Sequence, residues 1–113
     1  MVKLVALFSH PADVLAFNKH FDEVHLPLLR RVPGLARIEL ARVTGGPRGV
    51  SPYHIIVELY WNSAAEMQAS MATAEMREVG RDARAFAGHL LSMHIAEVVS
   101  RATSESGSWG RVV

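Results

Sequence analysis

Residues 53–61 read YHIIVELYW, a run of β-branched and aromatic side chains that is typical of a β-strand. Alternation along this strand would place on one face Tyr53, Ile55, Val57, Leu59 and Trp61. It would place on the other face His54, Ile56, Glu58 and Tyr60, so that neither face is plainly polar. Residues 2–8, VKLVALF, are apolar at nearly every position as well. Strands with this pattern are covered on both faces.

The rest of the chain alternates between helical and strand patterns. Three- and four-residue spacing predicts a helix whose buried face carries Val14, Phe17, Phe21, Val24, Leu28 and Val32. Pro33 and Gly34 end this helix. Ser63 begins a second helical region with a capping box, Thr73 begins a further helix towards Phe86, and strands are predicted at residues 36–43 and 91–100. The order β-α-β-β-α-β predicts an α+β, ferredoxin-like domain with a four-stranded antiparallel sheet and both helical regions on one face.

That arrangement leaves the second face of the sheet uncovered. Half of the 113 residues are apolar and only 20% are charged, whereas a lone domain of this size buries only about two thirds of its unfolded surface. We therefore expect a homodimer in which a second copy covers the bare face. The domain is predicted to occupy residues 1–101, followed by a flexible Ser- and Gly-rich tail at residues 102–113.

Composition narrows the class of protein. The formal charge is +1 and the charges are scattered, so we expect no nucleic-acid partner. No apolar run approaches the roughly 20 residues of a membrane span, and the N-terminal stretch alternates like a strand and lacks the small-residue cleavage site of a signal peptide. Cysteine is absent, which excludes disulfides and thiolate chemistry and fits a reducing cytoplasm.

Six histidines make metal binding the first hypothesis to test. His20 and His25 are five residues apart, which on an α-helix separates their directions by about 140°. No pair has the spacing of a helical metal site, and no His-Glu-x-x-His motif is present. We therefore expect no metal and no cofactor, while a site assembled from distant histidines stays open.

His25 is the strongest candidate for chemistry. It shares the apolar helix face with Phe21 and Leu28, and Pro27 two residues later would bend the helix and open a gap beside the imidazole. An imidazole in such a gap can act as a general acid and base near neutral pH, with Asp22 in reach to orient it. The alternative is a structural histidine that is hydrogen-bonded to the carbonyl freed by the proline.

The stretch FDEVHLPLLRRVPGL, residues 21–35, resembles the signature of the EthD family, named for ethyl tert-butyl ether degradation. The resemblance continues through residues 51–86, with a Tyr-led strand, a Ser-capped helix and a Thr-led segment containing Asp82 and Phe86. It implies a dimeric α/β barrel with a small cavity between sheet and helices in each subunit. Similar small barrels include methylmuconolactone isomerases, cofactor-free monooxygenases and polyketide cyclases. His25 occupies the position of the family's histidine in His-x-Pro-Leu.

Together these observations predict a cofactor-free enzyme of the oxidoreductase, isomerase or cyclase type. Its substrate would be a small apolar metabolite that bears a carbonyl or phenol group, with His25 as catalytic acid and base. The residues expected to shape the substrate pocket are Phe21, Leu28, Tyr53 and Phe86. The alternative is a non-catalytic small-molecule binding or accessory protein of an oxidative degradation pathway, or a dimer whose cavity is filled by side chains. Neither the substrate nor the reaction follows from the sequence.

Overall fold

The computed structural model describes residues 1–100, and the predicted tail at residues 102–113 lies outside the described residues. The elements follow in the order β1 (Val2–Ser9), α1 (Val14–His20), a π-helical turn (Phe21–His25), α2 (Leu26–Arg30), β2 (Arg37–Arg42), β3 (Tyr53–Trp61), α3 (Ala64–Met71), α4 (Ala74–Ala87) and β4 (Leu91–Glu97). This order and the single four-stranded antiparallel sheet confirm the predicted α+β, ferredoxin-like fold.

The sheet has the strand order β2-β3-β1-β4, with β1 inside it. Leu4 of β1 lies opposite Leu59 of β3 and Ile95 of β4, so one register links three strands. Because side chains alternate along a strand, the buried residues Leu4, Ala6 and Phe8 share one face and pack in the main core with the helices. The intervening residues of β1 lie on the other face.

The first helical region buries only part of its predicted face after residue 21. His25 and Val32 are buried as predicted, but Leu29 is buried in place of Leu28, which is only partly buried, and 41% of Val24 is exposed. Compared with a regular α-helix, this helix contains one additional residue between its two halves. This shift of one position decides which side chains meet the sheet.

Pro27 gives a physical reason for the shift. Proline has no N–H to donate to the carbonyl of Glu23, four residues earlier, and its ring crowds that carbonyl. The helix widens here into a π turn, in which the N–H of Leu26 donates to the carbonyl of Phe21, five residues earlier. Such π turns occur mostly as single insertions in α-helices and are frequent at functional sites. The proline signal in the sequence thus marked a real departure from helical geometry.

Two helix starts agree with the sequence prediction. Ser63 accepts a hydrogen bond from the backbone N–H of Glu66 at 3.1 Å, and Thr73 accepts one from Met76 at 3.2 Å. The turn after α2 depends on Gly34, whose φ of 87° is in the left-handed region. The buried Ser70 of α3 donates to the carbonyl of the preceding Pro33 at 2.7 Å, which ties this turn to the second helical layer.

The sheet face away from the helices combines apolar side chains with an ion-pair network. Lys3 Nζ lies 2.7 Å from Glu58 Oε2, and the hydroxyl of Tyr60 donates to the same oxygen at 3.0 Å. The guanidinium carbon of Arg37 lies 4.0 Å from the centre of the Tyr60 ring. The hydrogen bond from Lys3 lowers the pKa of Glu58. Within residues 1–100, no helix is long and apolar enough to cross a membrane.

Candidate functional site

His25 lies at the end of the π turn and is only 3% exposed. Its Nδ1 is 2.9 Å from Oδ2 of Asp82, a residue of α4. The other oxygen of the same carboxylate, Oδ1, is 2.8 Å from Nε2 of His20. A carboxylate only accepts hydrogen bonds, so both ring nitrogens that face it carry their hydrogens. The network therefore assigns a neutral His25 to the tautomer with hydrogen on Nδ1 and a lone pair on Nε2.

The π turn explains how two histidines five residues apart reach one carboxylate. On a regular α-helix their directions would differ by about 140°, which was the basis for expecting them to diverge. Hydrogen bonds of a π turn join residues five apart, so His20 and His25 come to the same side of the helix. The prediction that Asp22 orients the ring of His25 is wrong. The side chain of Asp22 is on the exposed side of the turn, and Asp82 bonds to the ring instead.

Burial sets the proton affinity of His25. Loss of hydration lowers the pKa of its imidazole, because the charged form is the one that needs water. The hydrogen bond to Asp82 and the negative charge of that carboxylate act in the opposite direction, and the charge of His20 lowers the pKa slightly further. The net effect is a pKa below the ordinary value of 6.5, which leaves the ring neutral at pH 7 and able to accept a proton.

Aromatic rings hold the imidazole in place. The ring centre of His25 lies 5.1 Å from that of Phe86, 5.5 Å from that of Phe21 and 6.4 Å from that of Phe8. Phe86 also packs against His20, with their ring centres 4.4 Å apart. These contacts fix both histidines next to Asp82 and restrict the rotation of the His25 ring.

A cavity of about 430 Å³ lies between the sheet and α4, and His25 is part of its wall. The sheet side is apolar and consists of Leu4, Ala6, Phe8, Val57, Leu59, Leu91 and Met93. Leu29 and residues of α3 and α4 complete the wall. Among the residues that the structure describes, Nε2 of His25 has no hydrogen-bond partner. Nε2 is therefore the ring nitrogen that has a lone pair to accept a hydrogen bond.

The predicted pocket residues do not gather around this cavity. Phe21 and Phe86 contact the ring of His25 but do not line the cavity wall, and Leu28 lines a separate groove beside α4 because the π turn moves Leu29 into the wall. Tyr53 pairs with Ser9, after a β-bulge, and so belongs to the sheet face opposite to Phe8. Of the predicted site, His25 alone lies in the wall of this cavity.

Sequence reasoning missed the partner of His25 and the residues of α4. Asp82 was noted only as part of the segment that resembles the family and ends at Phe86. No spacing argument could link Asp82 to His25, which precedes it by 57 residues. Arg77, Gly80 and Arg84 of α4 line the cavity and carried no motif. Among residues 1–100, no group of three or more His, Cys, Asp or Glu side chains has an arrangement that could hold a metal ion.

Comparison with known proteins gives a consistent family assignment. Residues 9–89 match the model of the EthD domain. An ethyl tert-butyl ether degradation family protein from Bacillus halodurans is 39% identical and superposes with a TM-score of 0.85, over 88% of this chain and 99% of the other. This level of identity supports shared family membership as well as a shared fold.

Two more distant structures share the fold at lower identity. A dimeric ferredoxin-like protein of unknown function from Jannaschia sp. is 12% identical. It superposes with a TM-score of 0.65 over 87% of this chain and 100% of the other. SnoaB from Streptomyces nogalater, described as a cofactor-independent oxygenase, is 17% identical, with a TM-score of 0.59 over 91% of this chain and 95% of the other. At these identities the likeness concerns the fold.

Proposed function

The chain belongs to the EthD domain family, and on that basis we propose that it is a cofactor-independent enzyme whose His25 removes and returns a proton on a small apolar substrate. The substrate class that suits this chemistry carries an acidic O–H, as in a phenol, or an acidic C–H beside a carbonyl group. The observation that carries the proposal is the pairing of a neutral, Asp82-oriented imidazole with an apolar cavity whose wall includes His25.

The proposed proton transfer uses both nitrogens of the ring. Nε2 of neutral His25 takes the acidic proton of the substrate, and the imidazolium that forms keeps its Nδ1–H bond to Asp82. The carboxylate stabilises this charged state, which burial alone would disfavour. The substrate electrons left by the proton rest on the oxygen of the phenolate or enolate. Return of the proton from Nε2, to the same or another atom, completes the cycle.

The fold neighbours support this reading at the level of chemistry that the scaffold can host. SnoaB carries out a cofactor-independent oxygenase reaction on a similar small sheet-and-helix frame. A buried base that generates a substrate anion is a common requirement of isomerase, cyclase and cofactor-independent oxidation chemistry. Identification of the substrate will decide which of these three reactions follows proton removal.

We also propose a homodimer formed through the sheet face away from the helices. This face carries the half-buried apolar side chains Val5, Leu7 and Ile56 beside the Lys3–Glu58 pair. A two-layer domain of this size leaves such a face exposed unless a second copy covers it. The neighbour from Jannaschia sp., which is described as dimeric, supports a dimer as such. Sedimentation at micromolar concentration should show a dimer, and a stable monomer there would contradict the proposal.

An assay with a model substrate tests the proposed base, because it does not require the natural substrate. Nitrobenzisoxazole is a small apolar aromatic whose ring opens when a base removes its ring C–H proton: the N–O bond breaks, the C–H electrons form a nitrile and the oxygen leaves as a coloured phenolate. The wild type should catalyse this reaction with saturation, and His25→Ala should lose roughly a hundredfold in rate. The exposed His89 supplies a matched control, since His89→Ala should keep the wild-type rate.

The outcomes of this assay separate the candidate functions. Saturable turnover that depends on His25 supports the enzyme. Saturable binding of the probe in the cavity, with a rate equal to that of His25→Ala, would reject the base and favour a non-catalytic small-molecule binding protein. Absence of both binding and turnover would reject the cavity as a site for small apolar molecules.

A further inference from the structure

The charged side chains that line the cavity within residues 1–100 all have one sign. Arg77, Arg81 and Arg84 of α4 line it together with His25, whereas none of the described aspartates and glutamates does. Arg81 Nη1 is 3.2 Å from Glu78 Oε1, an exposed pair that neutralises only part of this charge. The three arginines are exposed, as are Met71 and Met93, and these residues therefore mark the mouth of the cavity.

The placement of these residues contradicts local helix rules. Positions 77, 81 and 84 follow the spacing of one helix face, where like charges disfavour the helix. Gly80 lies on the same face in the interior of α4, where glycine costs about 1 kcal/mol relative to alanine. Features that cost helix stability are expected at functional sites, where ligand binding outweighs that cost. Here all four positions line one cavity.

Gly80 also leaves room for a guanidinium. A Cβ atom placed on Gly80 would lie 3.4 Å from Nη1 of Arg84, so the guanidinium of Arg84 packs across the bare backbone. Arg77 donates one N–H to the carbonyl of Ala72 at 2.8 Å, and a guanidinium has five such donors. Arg77 and Arg84 thus retain N–H donors for an anionic ligand.

From this arrangement we propose that the cavity takes an anionic ligand, with an apolar body against the sheet and a carboxylate or similar anionic oxygen group at the positively charged mouth, to which Arg77 and Arg84 belong. This inference rests on the proposed function, because it names the substrate class of the same cavity.

Matched probes that differ in one group test the inference. β-Naphthoate and β-naphthamide have the same apolar body and nearly the same shape, but only the first is an anion. Titration of the full chain with each probe, followed by NMR shifts of cavity residues and by calorimetry, gives the two affinities. The wild type should bind the naphthoate roughly tenfold more tightly than the amide. Added salt should narrow this difference.

Arginine variants then locate the charge. Arg77→Ala combined with Arg84→Ala should bring the two affinities within about twofold of each other. Arg48→Ala, in the loop before β3, should preserve the wild-type preference, since Arg48 does not line this cavity. A preference that survives the double variant would overturn the assignment to these arginines.

The results also distinguish this inference from the proposed function. If both probes bind in the cavity with equal affinity and His25-dependent turnover is retained, the anion inference fails and the proposed function stands. If the naphthoate preference is present but turnover does not depend on His25, the proposed base fails and the anion site stands. If neither probe shifts cavity residues, the anion inference fails, and the nitrobenzisoxazole assay alone decides the proposed function.

Discussion

The carboxylate of Asp82 lies 2.9 Å from Nδ1 of His25, although 57 residues separate them in the chain. This contact crosses from α4 to the π turn and joins the buried imidazole to the only acidic group that the structure shows bonded to it among residues 1–100. It fixes the tautomer that leaves Nε2 with a lone pair. The chemistry that we propose for the cavity depends on this contact.

Asp82→Asn should slow the ring opening of nitrobenzisoxazole at least tenfold while the chain stays folded. An amide can present an oxygen to the ring but brings no negative charge, so the imidazolium loses its stabilisation and the pKa of His25 falls further. NMR titration of the histidine rings measures this pKa, and the rate assay measures the loss. Asp22→Asn, a change in the exposed side of the π turn, is the matched control. A wild-type rate in Asp82→Asn would contradict the orienting role.

Stability should fall as the pH decreases below about 6.5, the ordinary pKa of histidine. Burial lowers the pKa of both His25 and His54. The unfolded chain therefore takes up protons at a higher pH than the folded one, and the free energy of unfolding decreases with pH in this window. Glu58 has the same sign, but its effect begins only below its ordinary value of 4.5. Urea unfolding at about pH 7.5 and 5.5 measures the difference.

His25→Gln tests the source of that pH dependence. The variant should weaken the dependence without abolishing it, because burial still lowers the pKa of His54. A wild-type chain that is more stable at the lower pH would show that the sign is wrong.

Gly34→Ala should destabilise the fold by about 1–2 kcal/mol, because a side chain disfavours the left-handed backbone conformation at a φ of 87°. The added Cβ would also lie 3.4 Å from Cβ of Ser70. Gly46→Ala is the control, since the φ of Gly46 is outside the positive range and its Cβ would make only ordinary contacts. Thermal or urea unfolding measures both variants, and equal stabilities would contradict the assigned turn.

Gly80→Ala should stabilise the protein and weaken ligand binding. Alanine favours a helix interior by about 1 kcal/mol over glycine, but the new methyl group would occupy the space against which Arg84 packs. We expect a higher midpoint of unfolding together with weaker binding of β-naphthoate. Ala85→Gly, an exposed change in the same helix, is the control: it should lower stability and leave binding unchanged. Unaltered binding in Gly80→Ala would show that Gly80 does not contribute to ligand binding in the cavity.

Much of the fold follows from local pattern. The run of residues 53–61 forms β3 with the predicted bounds, and the caps at Ser63 and Thr73 begin the helices where expected. These features depend on alternation, spacing and capping chemistry, each of which acts within a few residues. They are therefore legible in a single sequence.

The site was predictable only in part, because it depends on one inserted residue and on a distant contact. Pro27 indicated a disturbed helix, but not that the helix would widen into a π turn and exchange Leu28 for Leu29 in the core. The same turn brings His20 and His25 onto Asp82, against the divergence that α-helical geometry predicts. The positive charge at the cavity mouth becomes visible only when α4 is packed over the sheet.

Nitrogen NMR of the histidine side chains tests the central claim most directly, because it reports which ring nitrogen carries the proton. At neutral pH we predict that His25 is neutral with its hydrogen on Nδ1, and that the Nε2 signal moves when a naphthoate or nitrobenzisoxazole probe fills the cavity. A His25 ring that carries its hydrogen on Nε2, or an Nε2 signal that bound probes leave unchanged, would contradict the account.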